Sequence, residues 1–351
     1  MVLDPSDWSL AQRTDHVLGR LSPELASHAT AETHEAALEL ATAPHQTVAG
    51  AAREIAALRT ALASDLAAGG LRAASAGTHP FANWTETQVS SGARYQLVYE
   101  SMRELARREP TFAVHVHVGV ADPESAVDLM NRLRAHLPLL LALSGNSPFW
   151  QGRDTGFSST RTPIFQAFPR VGIPRVFTSY DDYVEAVDLL LRCDAFPEPN
   201  FLWWDVRLQP SLGTVEVRIM DAQSTATRTA VLAAMVQTIA HLELEEGYHS
   251  EQLIQALEIL QENRFLAARD GMHARLIDPV AERRVSALEQ LDELIAAGLP
   301  HAQELGCEDA FELAGDLARE TGAAWQRSVA HGSDLPGLVE RLSGAFTTAG
   351  L

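Results

Sequence analysis

The stretch Trp204-Asp205-Val206-Arg207-Leu208-Gln209-Pro210-Ser211-Leu212-Gly213-Thr214-Val215-Glu216-Val217-Arg218-Ile219 decides the fold. Apolar and ionisable residues alternate on both sides of Pro210-Ser211-Leu212-Gly213, the period of a half-buried strand. Pro and Gly between the two runs predict a hairpin. If those four residues form the loop, Arg207 faces Glu216 and Asp205 faces Arg218, so opposite charges meet across the strands. Asp205, Arg207, Glu216 and Arg218 then project from a single face.

Two further segments share the pattern. In Val114-His115-Val116-His117-Val118-Gly119-Val120 the valines point one way and both histidines the other. Leu38-Glu39-Leu40 adds another carboxylate. A face carrying His, Glu, Asp and Arg has the chemistry to hold a metal ion and an anionic substrate. An antiparallel sheet with one wet, charged face is the plainer reading of any single strand. The order of the set, two histidines, then Asp-x-Arg, then Glu-x-Arg, favours a site.

At 351 residues, with 46% hydrophobic and 21% charged residues, the chain is long and apolar enough for a large core. Its formal charge of -19 argues against nucleic acid as a partner. No apolar run is long enough to cross a membrane, and the N-terminus lacks the pattern of a secretory signal. Cys193 and Cys307 are the only cysteines and lie far apart in sequence, which predicts two free thiols and a cytoplasmic protein. All 27 Lys+Arg positions are arginine. A Walker lysine, a Schiff-base lysine and a lysine general base are therefore excluded. Phosphate chemistry here must use arginine and divalent metal.

Helical periodicity predicts helices over 45–68, ended by Gly69-Gly70, over 95–108, from Pro123 towards Leu143, and over 180–192. Leu71 to Ala76 reads as a strand. The Gly-, Ser- and Pro-rich segment 144–178 reads as a functional loop. From Ser224 onward the pattern is helical, with breaks expected near Gly247, Gly271, Gly298-Leu299-Pro300 and Gly332. The expected fold class is α+β: an antiparallel sheet bearing the active site on one face, helices on the other, and a helical C-terminal region over 224–351.

Seven blocks carry a family resemblance: Glu39-Leu40-Ala41-Thr42, Ala76-Gly77-Thr78-His79-Pro80, His115-Val116-His117-Val118-Gly119, Ser147-Pro148-Phe149-Trp150-x-Gly152-Arg153-Asp154-Thr155-Gly156, Trp204-Asp205-Val206-Arg207, Thr214-Val215-Glu216-Val217-Arg218, and Asn263-Arg264 with Ala268-Arg269-Asp270-Gly271. Together they resemble the type 2 glutamate–cysteine ligases, carboxylate–amine ligases with a glutamine-synthetase-like fold. The resemblance spans nearly the whole chain and implies one catalytic domain over 1–351. It implies that ATP phosphorylates the glutamate side-chain carboxylate and that an amine such as cysteine attacks the acyl phosphate. ATP and Mg2+, with Mn2+ as an alternative ion, are the implied cofactors. The implied partners are these small molecules; a homo-oligomer is compatible with the family.

The resemblance also assigns roles. Glu39, His115 and Glu216 are the implied metal ligands. Arg218, Arg207 and Arg153 are the implied catalytic residues, and Arg161, Arg269 and Asp205 the implied nucleotide contacts. Bland readings stand beside several of these. Arg207 can merely pair with Glu216, Arg153 and Arg161 can be loop arginines, and Arg269 can be a helix C-terminal charge. Trp203, Trp204 and Phe149 read as core. Relatives open with a strand containing Gly-Val-Glu-Glu-Glu-Phe, whereas this sequence opens with Met1-Val2-Leu3-Asp4-Pro5. A truncated or non-catalytic relative that binds nucleotide or glutamate without turnover is therefore the alternative. A zinc hydrolase built on His115 and His117 is a weaker third reading, because it leaves the other blocks unexplained.

Overall fold

The computed structural model describes residues 1–108 and 110–350. The hairpin forms in the expected register. Strand Val206–Gln209 pairs antiparallel with Thr214–Val217, with Arg207 opposite Glu216 and Gln209 opposite Thr214. The second strand also pairs with Val116–Gly119, which sets Glu216 against His117. The result is a three-stranded antiparallel sheet in the order 206–209, 214–217, 116–119.

The alternation decides which way this sheet faces. Val206, Leu208, Val215 and Val217 are buried in the largest core cluster, and Val116 and Val118 pack against it. Burial of such side chains contributes roughly 1.5–3 kcal/mol each. Helices Pro123–Ser144 and Ala226–Glu246 supply the opposing apolar surface through Leu129, Leu133, Leu140, Val231, Met235 and Ile239. The first helix starts where Pro123 predicts: Asp122 precedes it and accepts the backbone N–H groups of Glu124 and Ser125. Helix Tyr180–Arg192 matches its expected limits and is capped by Ser179.

The remaining strands form two-stranded ribbons. Leu38–Leu40 pairs with Ala29–Ala31 and not with the central sheet, so Glu39 reaches the site from a separate ribbon. Leu38 and Leu40 rest on a second core cluster that includes Val2, Leu58, Leu62 and Leu66. The last three belong to helix Val48–Ala68, close to the expected 45–68. The strand expected over 71–76 shortens to Arg72–Ala73, paired with Val2–Leu3. The helix expected over 95–108 is two helices, Ala93–Met102 and Glu104–Arg107, separated by Arg103 at φ 55°.

The C-terminal region departs from the all-helical expectation at a hairpin, Arg275–Asp278 with Arg283–Ser286. The break expected at Gly298-Leu299-Pro300 does not occur: helix Ala287–Glu304 runs through it. A Cβ on Gly298 would lie 2.6 Å from the Phe311 ring. The bare glycine thus lets the next helix pack closely, and tertiary contact overrides propensity. Among the described residues no helix is long and apolar enough to cross a membrane. Cys193 is exposed and Cys307 buried, both free.

Two buried histidines tie the N-terminal part together. His34 Nε2 lies 2.7 Å from the Ala106 carbonyl. His79 Nε2 lies 2.9 Å from the Trp8 carbonyl, while its Nδ1 accepts the Ala82 N–H. Burial pushes both pKa values down to about 4. Between that value and the ordinary value near 6.5 the unfolded chain binds more protons. Their stabilising contribution is therefore complete above about pH 6.5 and is lost as pH falls towards 4, by about 3 kcal/mol per histidine. Urea unfolding at pH 7.5 and pH 5 should show a clear drop in midpoint at the lower pH. An equal midpoint would show that these histidines are not held neutral.

Candidate active site

Glu216 is the centre of the polar face. Its backbone is fixed on the middle strand, and its side chain is buried at 2% exposure. Arg207 Nε donates to Oε2 at 2.6 Å and Gln209 Nε2 donates to the same oxygen at 2.9 Å. Arg218 donates to Oε1. His115 Nδ1 and His117 Nε2 lie 3.4 and 3.7 Å from Oε1. Burial alone would raise this carboxyl, but Arg218 and Arg207 outweigh it and hold the pKa well below the usual carboxylate range.

Each neighbour is in turn positioned. Arg207 also donates to the Asn200 and Leu202 carbonyls, at 3.0 and 2.9 Å. His115 precedes the strand and lies 3.4 Å from Arg218 Nη1. Burial, reinforced by the Arg218 charge, pushes its pKa well below the ordinary value, so the imidazole is neutral. His117 meets Thr214 Oγ1 at 3.0 Å.

Glu39 faces this group from its ribbon. It is exposed, yet desolvation by the surrounding protein pushes its pKa up to about 7. The charges of Glu32 and Glu216 add to the rise, and those of Arg218 and Arg94 oppose it. The site therefore presents one firmly ionised carboxylate, a second one destabilised by its neighbours, and a neutral histidine. Among the described residues the ligand atoms of Glu39, His115 and Glu216 do not all come within 4.8 Å of one another, so a shared cation would have to draw Glu39 closer to the sheet. Arg218 now fills the cationic role at Glu216 Oε1.

Four of the expected residues stand apart from this group. Asp205 does not pair with Arg218 through its side chain. The strands do align, since the Arg218 N–H donates to the Asp205 carbonyl at 2.8 Å. The Asp205 carboxylate is buried and held by Arg264, at 2.6 and 3.3 Å, so it is not free to contact nucleotide. Arg161 is also buried, its fork on the carbonyls of Ile219 and Arg218 at 2.9 and 3.2 Å. It braces the strand end that carries Arg218 and does not face an open cleft. Arg269 ends helix Leu257–Asp270, where it pairs with Asp270 at 2.8 and 2.7 Å and lies over Phe265. It therefore has the helix-end position of the plainer reading. Arg153 is exposed on a small hairpin, Phe149–Trp150 with Arg153–Asp154.

One organising residue escaped the sequence reading. Asp221, fully buried, accepts hydrogen bonds from Ser147 Oγ at 2.6 Å, Ser159 Oγ at 2.9 Å and the Asn146 N–H at 2.9 Å. Arg161 lies 3.8 Å from it. Burial raises its pKa, with Arg161 opposing. A Cβ on Gly77 would lie 2.6 Å from this carboxyl, which explains the glycine in Ala76-Gly77-Thr78. The loop over 144–178 is thus tied to the base of the sheet. Only the serines and asparagine of that loop hinted at such a hub, and serines are common in any loop. Nearby, a cavity of about 320 Å³ is lined by Thr162, Gln166, Ile173, Arg264 and Phe265 among others.

Comparison with known proteins gives a consistent picture. A family model described as glutamate-cysteine ligase family 2 matches residues 2–339. Two proteins of Rubrobacter xylanophilus are similar. One, provisionally named glutamate–cysteine ligase 2-1, is 39% identical over 93% of this chain and 86% of its own. The other, provisionally named glutamate–cysteine ligase 2-3, is 38% identical over 98% of this chain and 94% of its own. The crystal structure of a Francisella tularensis glutamate–cysteine ligase in complex with AMP shares the fold. Its TM-score is 0.71 at 14% identity, covering 99% of this chain and 86% of that one.

Proposed function

The chain belongs to glutamate-cysteine ligase family 2, and on that premise we propose that it is an ATP-dependent carboxylate–amine ligase acting on glutamate. The γ-carboxylate would take the terminal phosphoryl group of ATP, and an amine such as cysteine would displace phosphate from the acyl phosphate. The observation that carries this reading is the Glu216 cluster. An ionised carboxylate, two histidines and a partly buried arginine share one sheet face opposite Glu39. The non-catalytic alternative is not favoured, because ligase-named relatives match along nearly their whole length.

Glu39, His115 and Glu216 would hold Mg2+ or Mn2+, which supplies charge neutralisation for the transferring phosphoryl group when bound. Arg207 and Gln209 fix the Glu216 rotamer. Arg218 is the anion-binding fork: one nitrogen rests on Glu216, and its buried Nε has no partner in the protein. Were Glu216 to hold a cation, the Arg218 guanidinium would be free to bind phosphate or a substrate carboxylate. Arg161 keeps its backbone in place. Arg153, on an exposed hairpin apart from the cluster, would meet the phosphates only if its loop closed over the nucleotide. The cavity beside Arg264 offers the apolar walls of Ile173 and Phe265 and the polar group of Gln166, a suitable seat for the nucleotide base.

Incubated with ATP, Mg2+, glutamate and a panel of amines, the protein should release phosphate only when glutamate is present. Release equally fast without glutamate would reject the ligase reading in favour of a plain ATPase. In the same assay Arg218→Lys keeps the charge but loses the planar fork. It should lower kcat/KM at least ~10-fold, about 1.4 kcal/mol, with little change in folding. An unchanged rate would reduce Arg218 to a structural partner of Glu216.

A further inference from the structure

A second cluster of metal-type side chains lies on the helices that cover the sheet's apolar face. His136 sits inside helix Pro123–Ser144 and Glu243 near the end of helix Ala226–Glu246. His249 follows two residues after Gly247, which ends that helix. One ligand atom from each of the three lies within 4.8 Å of the others. His136 Nε2 is 2.5 Å from Glu243 Oε1, and the His136 and His249 ring centroids are 4.3 Å apart.

The site is built and incompletely satisfied. His136 and Glu243 are each 1% exposed. His136 Nδ1 and Glu243 Oε2 have no hydrogen-bond partner. Arg132 Nη1 lies 3.8 Å from Glu243 Oε2, and this arginine is shared with Asp128 and Glu251. Buried polar atoms without partners are rare and costly. His136 Nε2 is the ring atom that meets Glu243 Oε1, so its unpartnered Nδ1 points away from the carboxylate, and Glu243 Oε2 is the orphaned atom within the cluster.

We propose that His136, Glu243 and His249 form a structural metal site, separate from the Glu216 cluster, that takes zinc or a similar borderline divalent ion. Two imidazoles and one carboxylate are a zinc-type donor set, and they disfavour magnesium, which prefers oxygen ligands. The ion would pin the turn after helix Ala226–Glu246 onto helix Pro123–Ser144. Its role is to stabilise the helical layer that supports the sheet, and it requires nothing of the ligase reaction.

The test uses the full chain carrying His115→Asn and His117→Asn, which removes both histidines from the sheet face. After chelator treatment the protein is titrated with Co2+ alone. The expected result is a single equivalent bound, with the visible absorption of a low-coordinate nitrogen–oxygen site, displaced by Zn2+ but not by Mg2+. Adding His249→Asn in this background should weaken Co2+ binding at least about 100-fold, the upper end of what loss of a group behind the ligands costs. Glu243→Gln, which preserves side-chain volume, serves the same purpose if the histidine variant does not fold. Absence of tight Co2+ binding in the His115→Asn/His117→Asn protein overturns the proposal. So does binding that survives the loss of His249 or Glu243 in a folded variant.

Discussion

Glu216→Gln is expected to lower kcat/KM by about 10³-fold or more, some 4 kcal/mol of transition-state stabilisation. The amide keeps the shape of the side chain and can still accept from Arg207. It removes the charge that His115, His117, Arg207 and Arg218 surround. A neutral amide is a poor ligand for Mg2+, and the guanidinium groups of Arg207 and Arg218 are left without a counter-charge. Breaking a buried pair in this way typically costs about 3–5 kcal/mol, so chemical denaturation should show a fall in stability alongside the loss of activity. Raised Mg2+ should recover little of the rate. A variant with near-normal turnover at ordinary Mg2+ would remove Glu216 from the metal site.

Arg161→Met is expected to have the second largest effect, and to act at one remove. Arg161 is buried and holds the carbonyls of Arg218 and Ile219 while neutralising Asp221. Methionine fills much of the volume but satisfies none of these groups, leaving Asp221 as a buried charge without its cation. The expected cost is about 3–5 kcal/mol of stability. In protein that still folds, kcat should fall about 10–100-fold, because Arg218 loses its fixed position, while the KM for ATP changes less. Arg161→Lys should not rescue it, since one ammonium cannot span two adjacent carbonyls and Asp221 in the way the fork does. If Arg161→Met is as stable as the parent, the hub around Asp221 has been given too much weight. If KM rises while kcat holds, Arg161 contacts the nucleotide directly.

The parts legible in the sequence are those where a short period and a local signal agree. The Arg207–Glu216 register follows from alternation on both sides of a Pro/Gly loop, and the structure has that register. The helix starting at Pro123 is announced by Asp122 and an apolar stripe. What escaped was settled by distant contacts. Asp205 looks equivalent to Arg207 in pattern, but Arg264, far along the chain, captures it. Gly298-Leu299-Pro300 reads as a break, yet the Phe311 ring needs the glycine inside a continuous helix. Glu39 lies on a strand as expected, but three residues cannot reveal that their partner is Ala29–Ala31. His136 gave no signal, because a lone histidine inside an apolar helix is invisible until Glu243 and His249 close around it.

The support of Glu39 has a kinetic consequence. Its ribbon rests on the cluster built around Leu58, Leu62 and Leu66, whereas the strand bearing Glu216 rests on the larger one. Each apolar cluster can breathe as its own unit, and the gap between the two carboxylates is the seam where those motions meet. An ion bridging Glu39 and Glu216 would act as a rivet across that seam. Amide exchange in residues 29–40 should then slow on adding Mg2+ and nucleotide, while exchange within the central strands hardly changes. The same division lets a substitution at Glu39 alone retune the charge opposite Glu216 while the valines beneath the sheet stay undisturbed.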